Sequence, residues 1–450
     1  MKPTSLKMLL AGGALSSGTL AQTSGDLTIL AMNVAGLPEI LQNNEVPGDK
    51  TTNSRTIGSY FAKYNYDIIN VQEVTEKLFP IIDRDFNYHA YIYETDTHPY
   101  RTATSGGVPL GSGLNTLANY DWIEFERVKW STCSNASGSD CLTPKGFTFM
   151  RLRVAEGVYV DVYNLHTDAG TEADDLTARN SNLNQVATYI DTWSVGNAVL
   201  VFGDTNSRYT RTSDQIGVFA SQNGMRDVWL QLERAGVVPT AETLCANPST
   251  TNYCETVDKA FYRGNAVVNL EATYFNYESS KFLQANGSIL TDHNPITANF
   301  TWSLSSTLRQ SDFSGGPHGD WFSDLPALAS KSKPKASALT FHGASRLDSV
   351  AVTLADGTVF THGGTGGTAA TLTLAATEYW TAAKLCWGKK SDETRNFYIQ
   401  ATTSTGRTVS AGTTTSDCAT HTAPSGWQIV GYLGRDGDEI DRLAFVYAPQ

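Results

Sequence analysis

The stretch from Val199 to Arg208 reads Val-Leu-Val-Phe-Gly-Asp-Thr-Asn-Ser-Arg, an apolar run that stops at a glycine and hands over to a carboxylate and an amide two residues apart. Side chains two apart on an extended segment share a face, so Asp204 and Asn206 are presented together at a strand end, with Gly203 freeing the backbone to turn. The pattern recurs. Leu27–Asn33 delivers Asn33, Asp67–Glu73 ends in Glu73, Tyr159–His166 ends in His166, and Ile289–Pro295 carries Asp292 and His293. Turn chemistry or a satisfied surface group explains any one of these alone. Together they match the needs of phosphoester cleavage. Glu73 is an anionic ligand for a hard cation, Asn33 and Asn206 are neutral donors for non-bridging oxygens, and Asp204, His166 and His293 are acid–base groups for the attacking water.

The elements that must position them alternate. Arg55–Lys63 has helical spacing with Ile57, Tyr60 and Phe61 on one face, Thr177–Trp193 is a second helix, and a strand is expected to end near Gly111–Thr116. Glu255–Asp258 leads into another short apolar segment, and Ile296–Trp302 follows the Asp292-His293 pair. Strands interleaved with helices predict an α/β layer structure, with function where the polar strand ends meet.

The 450 residues exceed one ordinary domain, and the formal net charge of −12 excludes a broad basic footprint for nucleic acid or an anionic membrane. Phosphate chemistry stays open because a bound divalent cation supplies positive charge locally. Residues 1–21, with Lys2 and Lys7 ahead of an apolar run to Leu20 and a small-x-small ending at Ala21, read as a secretory signal peptide. Six cysteines suit an oxidising compartment and pair by proximity as Cys133 with Cys141, Cys245 with Cys254, and Cys386 with Cys418. Asn135, Asn286 and Asn299 head glycosylation sequons. No other apolar stretch is long enough to span a bilayer, so the expectation is a secreted protein without stable membrane insertion.

The series Asn33, Gln72-Glu73, Asn164-Leu-His166, Gly203-Asp-x-Asn206 and Thr291-Asp-His293-x-Pro295 resembles the endonuclease/exonuclease/phosphatase superfamily over roughly residues 25 to 302. The resemblance implies a two-sheet, four-layer α/β sandwich and hydrolysis of a phosphoester with Mg²⁺ or Mn²⁺. It places the metal on Glu73 with Asn33 and Asp292, and gives Asp204 and His293 the nucleophile. It also gives Asn206 the phosphate, His166 the departing oxygen, and Asp258 the orientation of His293. The Val257-Asp258-Lys259 context departs from the family's hydrophobic-Asp-aromatic pattern. Arg208 is a candidate phosphate contact. An inositol polyphosphate phosphatase, a nuclease and a sphingomyelinase all stay open, nucleic acid entering only as substrate.

Residues 303–337 are rich in Ser, Gly, Pro and Lys and read as a linker, with Phe313, Trp321 and Phe322 packing part of it down. From Ala338 short alternating runs such as Leu347–Leu354, Phe397–Thr403 and Leu443–Tyr447, parted by Gly, Thr and Ser turns, predict an all-β domain over 338–450. His362-Gly-Gly-Thr-Gly-Gly367, Ser425–Gly431 and Gly434–Leu443 resemble the jacalin-like lectins. That resemblance implies a β-prism binding carbohydrate without a metal, through Gly437, the backbone of Asp438 and Glu439, the Asp441 carboxylate, and a second loop at Gly363 and Gly364. The enzymatic reading is a secreted phosphoesterase of residues 22–302 with a targeting lectin. The alternative is a sugar-binding adhesion protein on an inactive hydrolase scaffold.

Overall fold

The computed structural model describes residues 22–36, 46–74, 88–103, 112–137, 140–142 and 145–450. The expected signal stretch lies outside them. Two sheets of six strands each form the first part. In the first sheet, Ser24–Asn33 lies between Ile296–Leu304 and Ile68–Gln72, parallel to the latter. In the second, Val158–Leu165 runs parallel to Ala198–Asp204, which pairs on its other side with Asp258–Arg263.

Alternation decides which side chain goes where. Leu27, Ile29 and Ala31 meet Ala198, Leu200 and Phe202 between the sheets. Leu30 and Met32 face outward onto Ile57 and Phe61 of the helix Lys50–Tyr64, and Val199 and Val201 face Leu183, Val186 and Ile190 of the helix Ala173–Trp193. Helix, sheet, sheet and helix make the four layers. Buried amides close the sandwich near the strand tips. Asn70 donates to the carbonyls of Tyr163 and Phe202 (3.2 and 3.1 Å), and Gln72 donates to Asn164 Oδ1 at 2.7 Å. Gly111–Thr116 does not end a strand: residue 111 lies outside the described residues, and Asn115–Ala118 begins where an end was expected.

The second part is all-β, with three sheets of antiparallel strands. Residues 303–337 are not a linker. Arg309–Gln310 and Ser314–Gly315 pair with the strand Ile440–Pro449, and Asp320–Ser323 pairs with Trp427–Asp436. Leu325 and Leu328 are fully buried and anchor the segment. All three cysteine pairs are closed as proximity suggested.

The two parts share one continuous core. Their seam is held by buried charge: Glu124 accepts from Arg435 at 2.7 Å and Arg442 at 2.6 Å, while Arg151 bonds Asp161 at 2.7 Å and lies 3.6 Å over the Trp321 ring. Burial opposes ionisation of Glu124, yet Arg151, Arg435 and Arg442 hold its carboxyl at about 2. Asp312 adds a second clamp on Arg153, Tyr159 and the Gly157 N–H. Gly157 is the hairpin joining Gly146–Ala155 to Val158–Leu165, so the β domain docks at the end of the sheet opposite the tips that carry His166 and Asp204.

Candidate active site

Four strand tips deliver the cluster. Asp204 and Asp258 are register partners at the ends of adjacent antiparallel strands, and His166 bridges to Asp204 on the other side. Asn33 ends the first strand of the facing sheet, and His293 enters just ahead of its neighbour Ile296–Leu304. Gly203 stays within the strand: a side chain there would run into the Leu165 carbonyl, at 2.6 Å from a Cβ. The turn comes at Asn206, which takes a left-handed φ of 46° and donates its N–H to Asp204 Oδ1 at 2.9 Å.

Asp204 is the hub. Its Oδ2 lies 3.1 Å from Asn33 Nδ2, 3.4 Å from His166 Nε2 and 3.7 Å from His293 Nε2. Asp258 Oδ2 takes His293 Nδ1 at 2.9 Å. The unusual Lys259 beside it turns away. Its Nζ bonds Glu255 Oε1 at 3.1 Å over the Tyr209 and Trp229 rings, leaving Asp258 free to meet His293. Thr291 locks the last loop, donating to the Asn33 carbonyl at 2.6 Å.

The environment sorts the charges. Burial pushes Asp204 up, but His293, His166, the Asn206 N–H and the Asn33 amide outweigh it and hold the group below the usual carboxylate range. Burial drives His293 down, yet Asp258 and Asp204 raise it well above an ordinary histidine. Burial and then Lys145 hold His166 neutral, well below the usual range. The result is an imidazolium at His293, a carboxylate at Asp204 and a neutral ring at His166.

Glu73 sits just past its strand with a left-handed φ of 59°. Burial raises its pKa, countered by Lys145, the Asn33 amide and His293, and Asp292 adds repulsion. Glu73 and Asp292 bring carboxylate oxygens, which suit a hard divalent ion, while the Asn33 amide turns its Nδ2 to Asp204 at 3.1 Å and its Oδ1 to the Ala35 N–H at 3.0 Å. Asp204, Asp258 and His293 also offer ligand atoms within 4.8 Å of one another, although Asp258 and His293 are already bonded together.

Arg208 stands outside this group. Its Nη1 pairs with Glu242 at 2.7 Å and its backbone N–H is held by Asp214. Lys145 was missed: its Nζ lies 3.2 Å from His166 Nε2, and no motif marks it in the sequence.

In the β domain, Gly363, Gly364, Gly437 and Asp438 do come together. Gly363 N–H bonds Asp436, and a side chain on Gly364 would strike the Asp438 carbonyl, 2.2 Å from a Cβ. The side chains of Glu439 and Asp441 are buried. Glu439 pairs with Arg346 at 2.7 Å and Lys390 at 2.9 Å, and Asp441 pairs with Arg395. The other face of the hairpin meets Gly319, where a Cβ would lie 2.6 Å from Asp441 Oδ2. The Gly-Gly-Pro-His-Gly run 315–319, read as linker, thus belongs to this loop cluster.

Comparison with known proteins agrees with both halves. The model of Endonuclease/Exonuclease/phosphatase family 2 matches residues 51–299, and that of the jacalin-like lectin domain matches residues 311–446. A Mycobacterium bovis protein named sphingomyelinase is 36% identical over 284 residues, 62% of this chain and 53% of its own length. The chain therefore spans about half the length of the curated relatives it matches. Among solved structures, beta toxin from Staphylococcus aureus with bound magnesium ions superposes at a TM-score of 0.43 with 16% identity, over 61% of this chain and 99% of that one. A mannose-binding jacalin-related lectin from Ananas comosus superposes at 0.28 with 20% identity, over 32% and 99%.

Proposed function

The chain belongs to the endonuclease/exonuclease/phosphatase family 2, and from that premise we propose that it is a secreted, divalent-cation-dependent phosphodiesterase whose substrate is sphingomyelin. The jacalin-like domain brings it to glycosylated surfaces. The observation that carries the hydrolytic reading is the unbroken chain Asp258–His293–Asp204–His166, closed by Asn33. In it Asp258 fixes the His293 tautomer and leaves Nε2 and its positive charge facing the phosphate. Asp204, held ionised, orients the attacking water and takes its proton as the water oxygen bonds to phosphorus and the ester P–O bond on the opposite side breaks, its electron pair leaving on the departing oxygen. Asn206 supports the phosphate side of the loop. Glu73 with Asn33 and Asp292 would hold a hard ion, Mg²⁺ or Mn²⁺, which when bound would supply Lewis-acid polarisation of a phosphoryl oxygen.

Two observations support a lipid ester over nucleic acid. The first is the name carried by the relatives at 36% identity. The second is an apolar surface that the sequence did not single out: Val237, Val238, Leu244 and Tyr253 are exposed, at 62, 48, 52 and 56%. Their segment is tied to the site through Asn247, which donates to the carbonyls of Thr291 and His293. Among the described residues no helix is long and apolar enough to cross a membrane, so the contact envisaged is with the bilayer surface. Hydrolysis of sphingomyelin vesicles, DNA and inositol phosphates with and without EDTA tests the proposal. Cleavage of sphingomyelin that EDTA abolishes is expected, and cleavage of DNA alone, or indifference to EDTA, overturns it.

A further inference from the structure

A cleft of about 370 Å³ opens on the seam between the two parts of the chain, and it shares no residue with the catalytic mouth or with the loops at Gly363 and Gly437. Its walls are strand edges. Asp417–Thr422 is the outer strand of one sheet of the β domain, and Arg309–Gln310 is the outer strand of another. The hairpin turn at Glu156 and Gly157 closes the cleft from the catalytic unit. His421 and Ser314 join the two edges, with Nε2 2.9 Å from Oγ. Edge strands carry backbone N–H and C=O groups without ladder partners, and here a pair of them borders a space the size of a small-ligand site.

The side chains add a donor, an acceptor and a flat apolar face. The Arg309 guanidinium lies 4.7 Å from the centre of the Trp427 ring, and its Nε is buried with no hydrogen-bond partner among the described residues. A donor kept from water without an acceptor costs ~1–3 kcal/mol, which an incoming oxygen recovers. Glu156 brings an exposed carboxylate, Thr420 an exposed hydroxyl, and Trp387 a half-buried indole.

These groups select a class of ligand. Arg309 and Glu156 are opposite in sign, and Asp312 is already held by Arg153. Burial, opposed by Asp312, lowers the pKa of His421, so its ring adds no charge. With no surplus of either sign, the cleft suits neither a phosphate nor a metal ion. An alcohol both donates and accepts, so a ring bearing several of them satisfies guanidinium, carboxylate and strand edge together, while its C–H face covers an indole.

We propose that the seam cleft is a carbohydrate-binding site for a neutral pyranose, with Trp387 under the sugar ring and Arg309 Nε and Glu156 on its hydroxyl groups. The site is composite: Glu156 belongs to the catalytic unit and Trp387 to the β domain, so neither half holds it alone. It is separate from the Gly363 and Gly437 loops and does not depend on the phosphodiesterase reading.

The test uses the full chain carrying Gly437→Val. A Cβ at Gly437 meets open space, so valine fills that loop without strain and takes it out of the measurement. The probes are methyl α-D-mannopyranoside, methyl α-D-glucopyranoside, methyl β-D-galactopyranoside and glucuronate, followed by isothermal titration and saturation-transfer NMR. At least one neutral glycoside is expected to bind at a single site, with glucuronate no tighter. Trp387→Ala and Arg309→Gln should each weaken that binding at least about tenfold, and Glu156→Gln about threefold or more. Melting curves identify any variant that folds poorly, and Glu156→Gln, on an exposed turn, carries the test in that case. Absence of binding by every neutral glycoside, an affinity unmoved by Trp387→Ala or by Glu156→Gln, or a clear preference for glucuronate overturns the proposal.

Discussion

The catalytic mouth and the domain seam both bury charge, and they handle it in opposite ways. At the seam Glu124 is surrounded by Arg151, Arg435 and Arg442, and in the lectin hairpin Glu439 is held by Arg346 and Lys390. There every carboxylate has its cation, and the groups do structural work. At the mouth, Glu73, Asp204, Asp258 and Asp292 gather around His293, and His166 is kept neutral. Negative charge is left over where a divalent ion and a phosphate would meet. The contrast teaches that burial of an acid is not itself a sign of function in this chain.

Perturbing both places sharpens the contrast. Glu124→Ala leaves three buried arginines short of their shared partner and is expected to cost about 3–5 kcal/mol of unfolding free energy, read by urea denaturation, while kcat on a soluble phosphodiester stays within about twofold. A stable variant with lost activity would make the seam part of the catalytic machinery. Asp258→Asn does the reverse: it removes the group that fixes the His293 tautomer, lowering kcat about 10- to 100-fold with little change in melting temperature.

Acid gives a smaller, graded effect. Glu124 and Glu439 are each held down at about 2 in the folded protein against an ordinary glutamate value near 4.5. Their folded pKa values are depressed, so the stability they contribute is present above about pH 4.5 and drains away as pH falls toward 2. Thermal scans between pH 6 and 2.5 should show the midpoint falling below about pH 4.5, less steeply in Glu124→Gln. The smallest change is expected from Glu439→Gln on sugar binding: a carboxylate buried against Arg346 and Lys390 does not face a ligand, so titration with a mannoside should shift by less than about threefold. A large loss would show that it does.

Much of this was legible because polar groups at strand tips interrupt apolar runs. Asn33, Glu73, His166 and Asp204 each follow such a run and His293 precedes one, and the structure brings Asn33, His166 and His293 onto the Asp204 carboxylate. Asp258 was legible through its family context, since Lys259 breaks the local pattern and only the fold shows it turned toward Tyr209 and Trp229. Lys145 was not, because its meaning comes from the Trp130 and Asp140 contacts that hold it, and these are tertiary. The 303–337 segment misled through composition: Gly and Ser suggested a tether, while a few apolar side chains and the pairing edges of two long strands decided otherwise.

The account turns on one hydrolytic centre assembled from separate strand tips around His293 and Asp204. Initial rates of sphingomyelin hydrolysis by the full chain, with Mg²⁺, with EDTA, and in the His293→Ala variant, test it most directly. The account predicts that EDTA abolishes turnover, that Mg²⁺ restores it, and that the variant loses a factor of about 100 or more. Equal rates in the variant and the parent would contradict it.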